Sequence, residues 1–358
     1  MKKIMLLLPN LNIGGAEKVN IELARQFKYF GFDVCFVLGE KRGLLLNEVE
    51  KDIPVYDVNR NNPISTVLGI KNKIDTIKPD YVIASMWGLT VYTAFAKVIC
   101  NVKFKLLLVE HSSLINQFSN KSLVLQLWLK ISTFFAYRIS DHLAGVSSGV
   151  CKDMQNLAYL KSTPEVLYNP IPIADSNCEQ SNFTASRKHI ITAGRLIDAK
   201  DQDTLIRAFA KLKQSDYQLT ILGDGPLMDP LQKLAIKLGV IDNICFAGFV
   251  DNPRQYFLEA DLFVLSSIRE GLPTVLIEAL GTGTPVVSTD CMYGPQEILK
   301  NDEFGILVPV GDAKALAVAM ELSLSKNHDK KKLINRARDF APEISAKRYL
   351  EVLGLEKS

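Results

Sequence analysis

The 358-residue chain carries six cysteines, at 35, 100, 151, 178, 245 and 291, but no C-x-x-C pair and no histidine-rich neighbourhood. That spacing suggests neither a zinc site nor a disulfide framework, and it fits a reducing, cytoplasmic compartment. No apolar stretch is long enough to span a bilayer, so any membrane contact is expected to be peripheral. The start, Met1-Lys2-Lys3, begins like a signal peptide, but Pro9 and Asn10 end the apolar run of residues 4–8, which reads as a first β-strand. Internal repeats, low-complexity tracts and coiled-coil heptads are missing. So is a G-x-G-x-x-G fingerprint, which disfavours a dinucleotide oxidoreductase. The formal net charge is only +3, and no nucleic-acid partner is expected.

What is present is an ordinary globular composition, 47% hydrophobic, in a chain long enough for two α/β units. Apolar segments at 4–8, 34–38, 81–84, 106–109 and 143–146 stand close to stretches of helical length such as 16–30. A second array restarts at 189–192 and continues through 218–222, 244–246, 262–265 and 286–288. Strands alternating with helices predict two parallel, doubly wound, Rossmann-like sheets facing a central cleft, the usual place for a ligand. The predicted domains are residues 1–168 and 169–343, with residues 344–358 as a terminal helix that crosses back to the first. Tyr168-Asn169-Pro170 and the polar stretch 175–187 read as the linker. Residues 1–170 hold 20 Lys+Arg against 14 Asp+Glu, and residues 171–358 hold 22 against 25. The first half is therefore the basic one, a modest sign that it meets something anionic.

The most informative segment is LFVLSSIREGLPTVLIEALGTGTPVVSTD, residues 262–290. A buried strand at 262–265 leads through Gly271-Leu272 to a helix with Pro273 at its first position, stopped by Gly281 and Gly283 before a second strand. Glu270 then lies in the loop at a strand's carboxyl end, and Glu278 rides on the helix. Helix starts suit phosphate, and carboxylates suit vicinal hydroxyls, so the trio fits a nucleotide diphosphate sugar.

Other signals have plainer readings beside the chemical one. Gly14-Gly15 opens a helix after the first strand and allows close ligand approach, or simply makes a tight turn. Arg195 and Lys200 are spaced to reach one diphosphate, or are two surface cations. Asp201-Gln202-Asp203 matches a metal-binding D-x-D pattern, but an N-cap and first-turn acid explain it without a metal. His111 stands at a strand end facing the expected cleft. Residues 121–138, with Trp128, Phe134, Phe135 and Tyr137 among three cations and no acid, read as an interfacial membrane helix or as a partly buried core helix.

Taken together, Gly14-Gly15, His111, Val146-Ser147, Tyr168-Asn169-Pro170, Gly194-Arg195-Leu196 with Lys200, Gly223-Asp224-Gly225-Pro226 and the E-x7-E pair Glu270/Glu278 resemble the retaining glycosyltransferases of family 4, which have the GT-B architecture. The resemblance covers nearly the whole chain. It implies that Arg195 and Lys200 meet the donor diphosphate, Glu278 the ribose, and Glu270 the donor sugar. The turn Gly271, Leu272 and Pro273 belongs to the same donor-binding loop, with the backbone at Thr274 and Val275 on phosphate. His111 and the Gly14-Gly15 loop fall on the first domain's side of the reacting centre, His111 after the fourth strand, with Glu270 and His111 as the catalytic pair. Asp201 stands where the family has glycine. The wording of 270–280 and 293–298 is similar to bacterial enzymes of capsule, lipopolysaccharide and lipid-linked oligosaccharide assembly. That implies a UDP-hexose or UDP-N-acetylhexosamine donor, a glycan or lipid-linked acceptor, and no metal cofactor. A nucleotide-sugar 2-epimerase and a non-catalytic sugar-nucleotide-binding subunit remain open alternatives.

Overall fold

The computed structural model describes residues 1–12, 14–58, 62–119, 121–173, 187–213 and 215–355. Ile13, Cys178 and positions 174–186 of the expected linker lie outside them. The chain forms two units, one of Met1–Pro170 with Pro342–Ser358, the other of Ile171–Ala341.

The first unit holds β1 (Lys3–Leu8), β2 (Asp33–Leu38), β3 (Val55–Asp57), β4 (Tyr81–Ser85), β5 (Lys105–Glu110), β6 (His142–Gly145) and β7 (Glu165–Val166). They pair in parallel in the order β3-β2-β1-β4-β5-β6-β7. Residues 4–8 are sealed from solvent, the continuous apolar run expected of a strand covered on both faces. The helix Pro342–Val352 packs against Gly15–Tyr29, where the Phe27 and Tyr349 rings meet edge-on at 6.3 Å.

The second unit holds β8 (Lys188–Ala193), β9 (Tyr217–Leu222), β10 (Ile244–Gly248), β11 (Leu262–Leu265), β12 (Val286–Thr289) and β13 (Ile306–Val308). Again all neighbours are parallel, in the order β10-β9-β8-β11-β12-β13. The strand order reverses between β8 and β11, and between β1 and β4 in the first sheet. At such switch points the loops leaving neighbouring strands diverge and leave a crevice at the carboxyl edge.

Three strands escape the sequence pattern, β3, β7 and β13. Each is two or three residues long and forms a sheet edge, where one side goes unpaired and no extended apolar run is needed. Because β3 is among them, His111 follows the fifth strand and not the fourth. Pro273 is also corrected. It is the N-cap of the helix Thr274–Gly281, one position outside the first helical residue, and Gly281 is the last residue of that helix.

Candidate donor site and acceptor-side residues

In the second unit the loops after β8 and β9 fit together only because of glycine. Gly223 has φ +136°, and a Cβ there would lie 1.9 Å from the Gly194 carbonyl oxygen, so a side chain would push the two turns apart. Gly194 N–H donates to Leu222 O and Leu196 N–H to Asp224 O, both at 2.9 Å. The Gly194-Arg195-Leu196 and Gly223-Asp224-Gly225 motifs are thus two sides of one backbone contact. The chain then turns at Asp198–Lys200 and enters the helix Gln202–Phe209 through Asp201. Asp201 has φ +46°, and its carboxylate accepts from Thr204 N–H at 3.3 Å and Thr204 Oγ1 at 2.7 Å. That left-handed conformation favours glycine, and Asp is among the few other residues that tolerate it. Asp203 pairs with Arg207 one turn on, at 2.5 Å. Both acids of the D-x-D tripeptide are therefore engaged in the helix start.

Lys200 and Glu270, seventy positions apart, meet because β8 and β11 are neighbours. Lys200 Nζ lies 2.5 Å from Glu270 Oε1, and Ser267 Oγ donates to the same oxygen at 2.7 Å. Ser266 Oγ donates to Lys200 O at 2.9 Å, and Ile268 N–H to Ala199 O at 2.9 Å. Thr289 Oγ1, at the end of β12, donates to Ser267 O at 2.6 Å. Glu270 is thus held by a cation and a hydroxyl whose own loops are sewn together. The neighbouring Cys291 thiol is buried and pushed up to about 12, chiefly by desolvation and secondarily by the Glu270 charge, so it stays an inert neutral thiol. Arg195 is exposed and has no ion-pair partner among the described residues, while its carbonyl accepts from Gln202 Nε2 at 3.2 Å.

Thr274–Gly281 starts without a side-chain cap, so its first N–H groups, at Thr274 and Val275, have no intrahelical acceptor. Leu272 and Pro273 are buried and Gly271 half-buried. The turn is backed by Gly294 at φ +96°, where a Cβ would fall 2.3 Å from Pro273 Cδ. Glu278 is half-buried one turn into this helix. Uncapped donors, an unpaired arginine and a fixed Lys–Glu pair occupy one sheet edge. That edge offers an anion one unpaired cation, Arg195, and a helix start, with Lys200 beside them already paired to Glu270. Among the described residues no three His, Cys, Asp or Glu side chains are grouped to hold a metal ion.

In the first unit, Gly14 is the N-cap of Gly15–Tyr29 with φ −166°, and Gly15 is helical. Neither needs glycine for turn geometry. A Cβ on Gly15 would meet nothing within 4 Å, whereas one on Gly14 would lie 2.2 Å from the buried Glu17 carboxylate, so Gly15 is the position that leaves open space beside the helix start. His111 follows β5, and both its ring nitrogens are sealed from solvent without a hydrogen-bond partner among the described residues. Burial pulls its pKa down to about 4, so the imidazole is neutral at physiological pH. Beside it, Glu110 is buried, and its Oε1 accepts from Thr90 Oγ1 at 3.0 Å and Tyr137 Oη at 3.2 Å. Desolvation pushes this carboxyl up to about 7 against those hydrogen bonds.

Pattern reasoning passed over Ser266, Ser267 and Thr289 in the second unit and Glu110 with Tyr137 in the first. The one available signal was polar residues directly following apolar strands, as in Leu265-Ser266-Ser267 and Val109-Glu110. Residues 121–138 form most of the helix Leu123–Ile139, whose Leu129, Ser132, Thr133, Ala136 and Tyr137 are buried. The core-helix reading therefore holds for one face.

Residues 13–175 match the family described as Glycosyltransferase Family 4, and residues 175–340 the family described as Glycosyl transferases group 1. Over 204 residues, 56% of each chain, the sequence is 33% identical to the N-acetylgalactosamine-N,N'-diacetylbacillosaminyl-diphospho-undecaprenol 4-alpha-N-acetylgalactosaminyltransferase of Campylobacter jejuni. It is 37% identical to the lipopolysaccharide core biosynthesis glycosyltransferase LpsE of Rhizobium meliloti over 169 residues, 46% of this chain and 49% of that one. The chain thus spans about half the length of these two curated relatives. Its fold is similar to that of HepE from Anabaena in complex with UDP, with a TM-score of 0.84 at 21% identity over 99% of this chain and all of that one. The architecture is GT-B, and with both halves matched the chain belongs to glycosyltransferase family 4.

Proposed function

We propose that this protein is a retaining glycosyltransferase that moves a hexose or N-acetylhexosamine from a UDP-sugar to a glycan or lipid-linked acceptor in bacterial envelope polysaccharide assembly. The observation that carries the reading is the Lys200–Glu270 pair at the carboxyl edge of β8 and β11, beside the uncapped start of Thr274–Gly281. As the bond between the anomeric carbon and the diphosphate oxygen breaks, its electrons pass to the phosphate. Arg195, Lys200 and the helix start stabilise that growing charge without a metal. Glu270 orients the sugar, and Glu278 accepts from the ribose hydroxyls. The acceptor oxygen bonds to the anomeric carbon on the face the phosphate leaves, and its proton goes to the departing phosphate. Neutral His111 serves on the acceptor side. The engaged states of Asp201 and Asp203 support a metal-independent reaction. The donor and acceptor classes draw on the relatives: HepE was solved with UDP, and the Campylobacter enzyme's name contains a diphospho-undecaprenol acceptor.

The test is incubation with a panel of UDP- and GDP-sugars, with and without extracted lipid-linked acceptors. Transfer to the acceptor, or slow donor hydrolysis without it, supports the reading. Formation of an epimer supports a 2-epimerase instead, and binding with no turnover supports a non-catalytic subunit.

A further inference from the structure

The helix Leu123–Ile139 has two apolar faces, only one of which is covered. Its inner face packs against Leu89–Ile99 and Ser148–Ala158. On the other side Leu123, Val124, Leu127, Trp128, Ile131 and Phe135 are exposed, from 44% for Ile131 to 82% for Leu123. At about 100° per residue these six fall within an arc of about 140°, and they run roughly 18 Å along the axis. Scattered exposed apolar residues need no explanation, but a continuous stripe of this kind marks an interaction surface.

The charges around the stripe select its partner. No Asp or Glu occurs from residue 111 to 140, while Lys121 and Lys130 are exposed beside the stripe. A two-fold contact between copies of this chain would set that cationic face against itself, and the segment carries no acid of its own to neutralise it. An anionic bilayer supplies both missing halves, hydrocarbon for the stripe and headgroup phosphate for the lysines. Arg138 is exposed and adds a third positive charge at the far end of the stripe, but its side chain is tied to the protein. Its guanidinium donates to Phe134 O and Ala158 O at 2.8 Å and to Tyr159 O at 2.9 Å, and it lies 3.6 Å from the Phe134 ring centroid. No helix among the described residues is long and apolar enough to cross a membrane, so the contact lies in the interface plane.

We infer that the outer face of Leu123–Ile139 docks on an anionic phospholipid surface, with Leu127, Trp128 and Phe135 in the acyl boundary and Lys121 and Lys130 at the headgroups. This extends the transferase reading by saying where a lipid-linked acceptor is met. It also has a structural consequence inside the unit, because Tyr137 on the inner face of the same helix is bonded to Glu110, the residue before His111.

The test is co-sedimentation of the whole protein with vesicles of phosphatidylcholine alone or mixed with phosphatidylglycerol, without donor or acceptor, so that its outcome is independent of the transferase assay. Binding to the mixed vesicles is expected at low salt, weakening as salt rises, and roughly tenfold or more tighter than to the neutral ones. Trp128 emission should shift to the blue on binding and be quenched by brominated lipid, and Trp128→Phe should remove that signal while binding persists. Combined Leu127→Ser, Trp128→Ser and Phe135→Ser should lose vesicle binding with an unchanged melting temperature. Lys121→Gln with Lys130→Gln should markedly reduce the anionic preference. Absence of wild-type binding at low salt, equal binding to both vesicle types, unaltered binding by the triple variant, or a solution dimer that the triple variant dissolves would each overturn the inference. If the triple variant does not fold, unquenched Trp128 in the wild type on anionic vesicles overturns it alone.

Discussion

Lys200 Nζ and Glu270 Oε1 lie 2.5 Å apart on loops that leave two neighbouring parallel strands, with only 21% and 11% of their side chains exposed. Two groups proposed to act on different parts of one donor thus hold each other in place before any donor arrives. Removing one leaves the other largely enclosed and unpaired, which is costlier than losing a surface pair. Lys200→Ala and Glu270→Ala should therefore be non-additive in stability, with a coupling of about 0.5–3 kcal/mol in a double-mutant cycle by urea unfolding. Simple additivity would mean that the contact contributes nothing to the fold.

Ser267 acts through Glu270, since its hydroxyl donates to the same carboxylate oxygen and Thr289 in turn fixes its carbonyl. Losing that bond leaves the carboxylate held by Lys200 alone and less sharply oriented. We expect Ser267→Ala to lower kcat roughly ten- to a hundredfold with little change in UDP affinity, because sub-ångström placement of an orienting group is worth that much. A larger effect on UDP affinity than on kcat would assign Ser267 to binding instead.

The two carboxylates of the E-x7-E motif should separate in the same way. Glu278→Ala is expected to weaken UDP-sugar binding by about ten- to a hundredfold, the worth of a charge-assisted hydrogen bond to ribose. Glu270→Ala should lower turnover while nucleotide affinity changes much less. Calorimetry with UDP beside initial rates distinguishes them, and unchanged nucleotide affinity in the Glu278 variant would sink the ribose assignment.

Glu110 predicts a pH effect of definite sign. Its carboxyl is raised to about 7 from 4.5 by burial. Below pH 4.5 it is protonated whether the chain is folded or not, and it adds no pH dependence. Between pH 4.5 and 7 the unfolded chain releases the proton and the folded one keeps it, so stability falls as pH rises, by about 3 kcal/mol once pH exceeds 7. Glu110→Gln keeps an acceptor for Thr90 and Tyr137 without the charge. Its stability relative to wild type should grow from pH 4.5 to 8, measured by urea unfolding at each pH. A constant difference would mean that the site is wetter than the structure has it. His111, lowered to about 4, runs the other way: its cost is absent above pH 6.5 and appears as pH falls below it.

How much of this was legible in the sequence depended on distance along the chain. The buried strands around residues 4–8 and 262–265 announce themselves as apolar runs, and Asp201 announces itself as a cap, because the forces that decide them act within a few residues. The Lys200–Glu270 contact is different: both residues stand out in sequence, but their meeting follows from β8 lying beside β11, a fact of sheet order. Short edge strands such as Glu165–Val166 carry too few residues to show any period. The helix Leu123–Ile139 shows a third limit. Its composition offers a core helix or an interfacial one, and the structure buries one face and leaves the other apolar and open, so the core reading accounts for only one side of the element.

Asp201 and Asp203 give the remaining prediction, which concerns metal. Asp201 already accepts two hydrogen bonds from Thr204, and Asp203 already pairs with Arg207. A divalent ion would have to displace both arrangements at the start of Gln202–Phe209, whereas in the proposed mechanism the positive charge at the phosphate comes from Arg195 and Lys200. Transfer should therefore proceed in EDTA at close to its full rate. Asp201→Gly and Asp201→Ala sharpen the test, because both remove the Asp201 carboxylate as a metal ligand but differ in how they suit a residue at φ +46°. Each loses the cap, at about 1 kcal/mol for alanine and only a few tenths for glycine. Alanine in addition bears the left-handed backbone, a further cost of roughly 1–2 kcal/mol that glycine does not have. Asp201→Gly should thus be the more stable variant and retain activity, as measured by thermal unfolding beside initial rates. Loss of activity in Asp201→Gly, together with wild-type inactivation by EDTA that manganese reverses, would show that the tripeptide binds a metal after all.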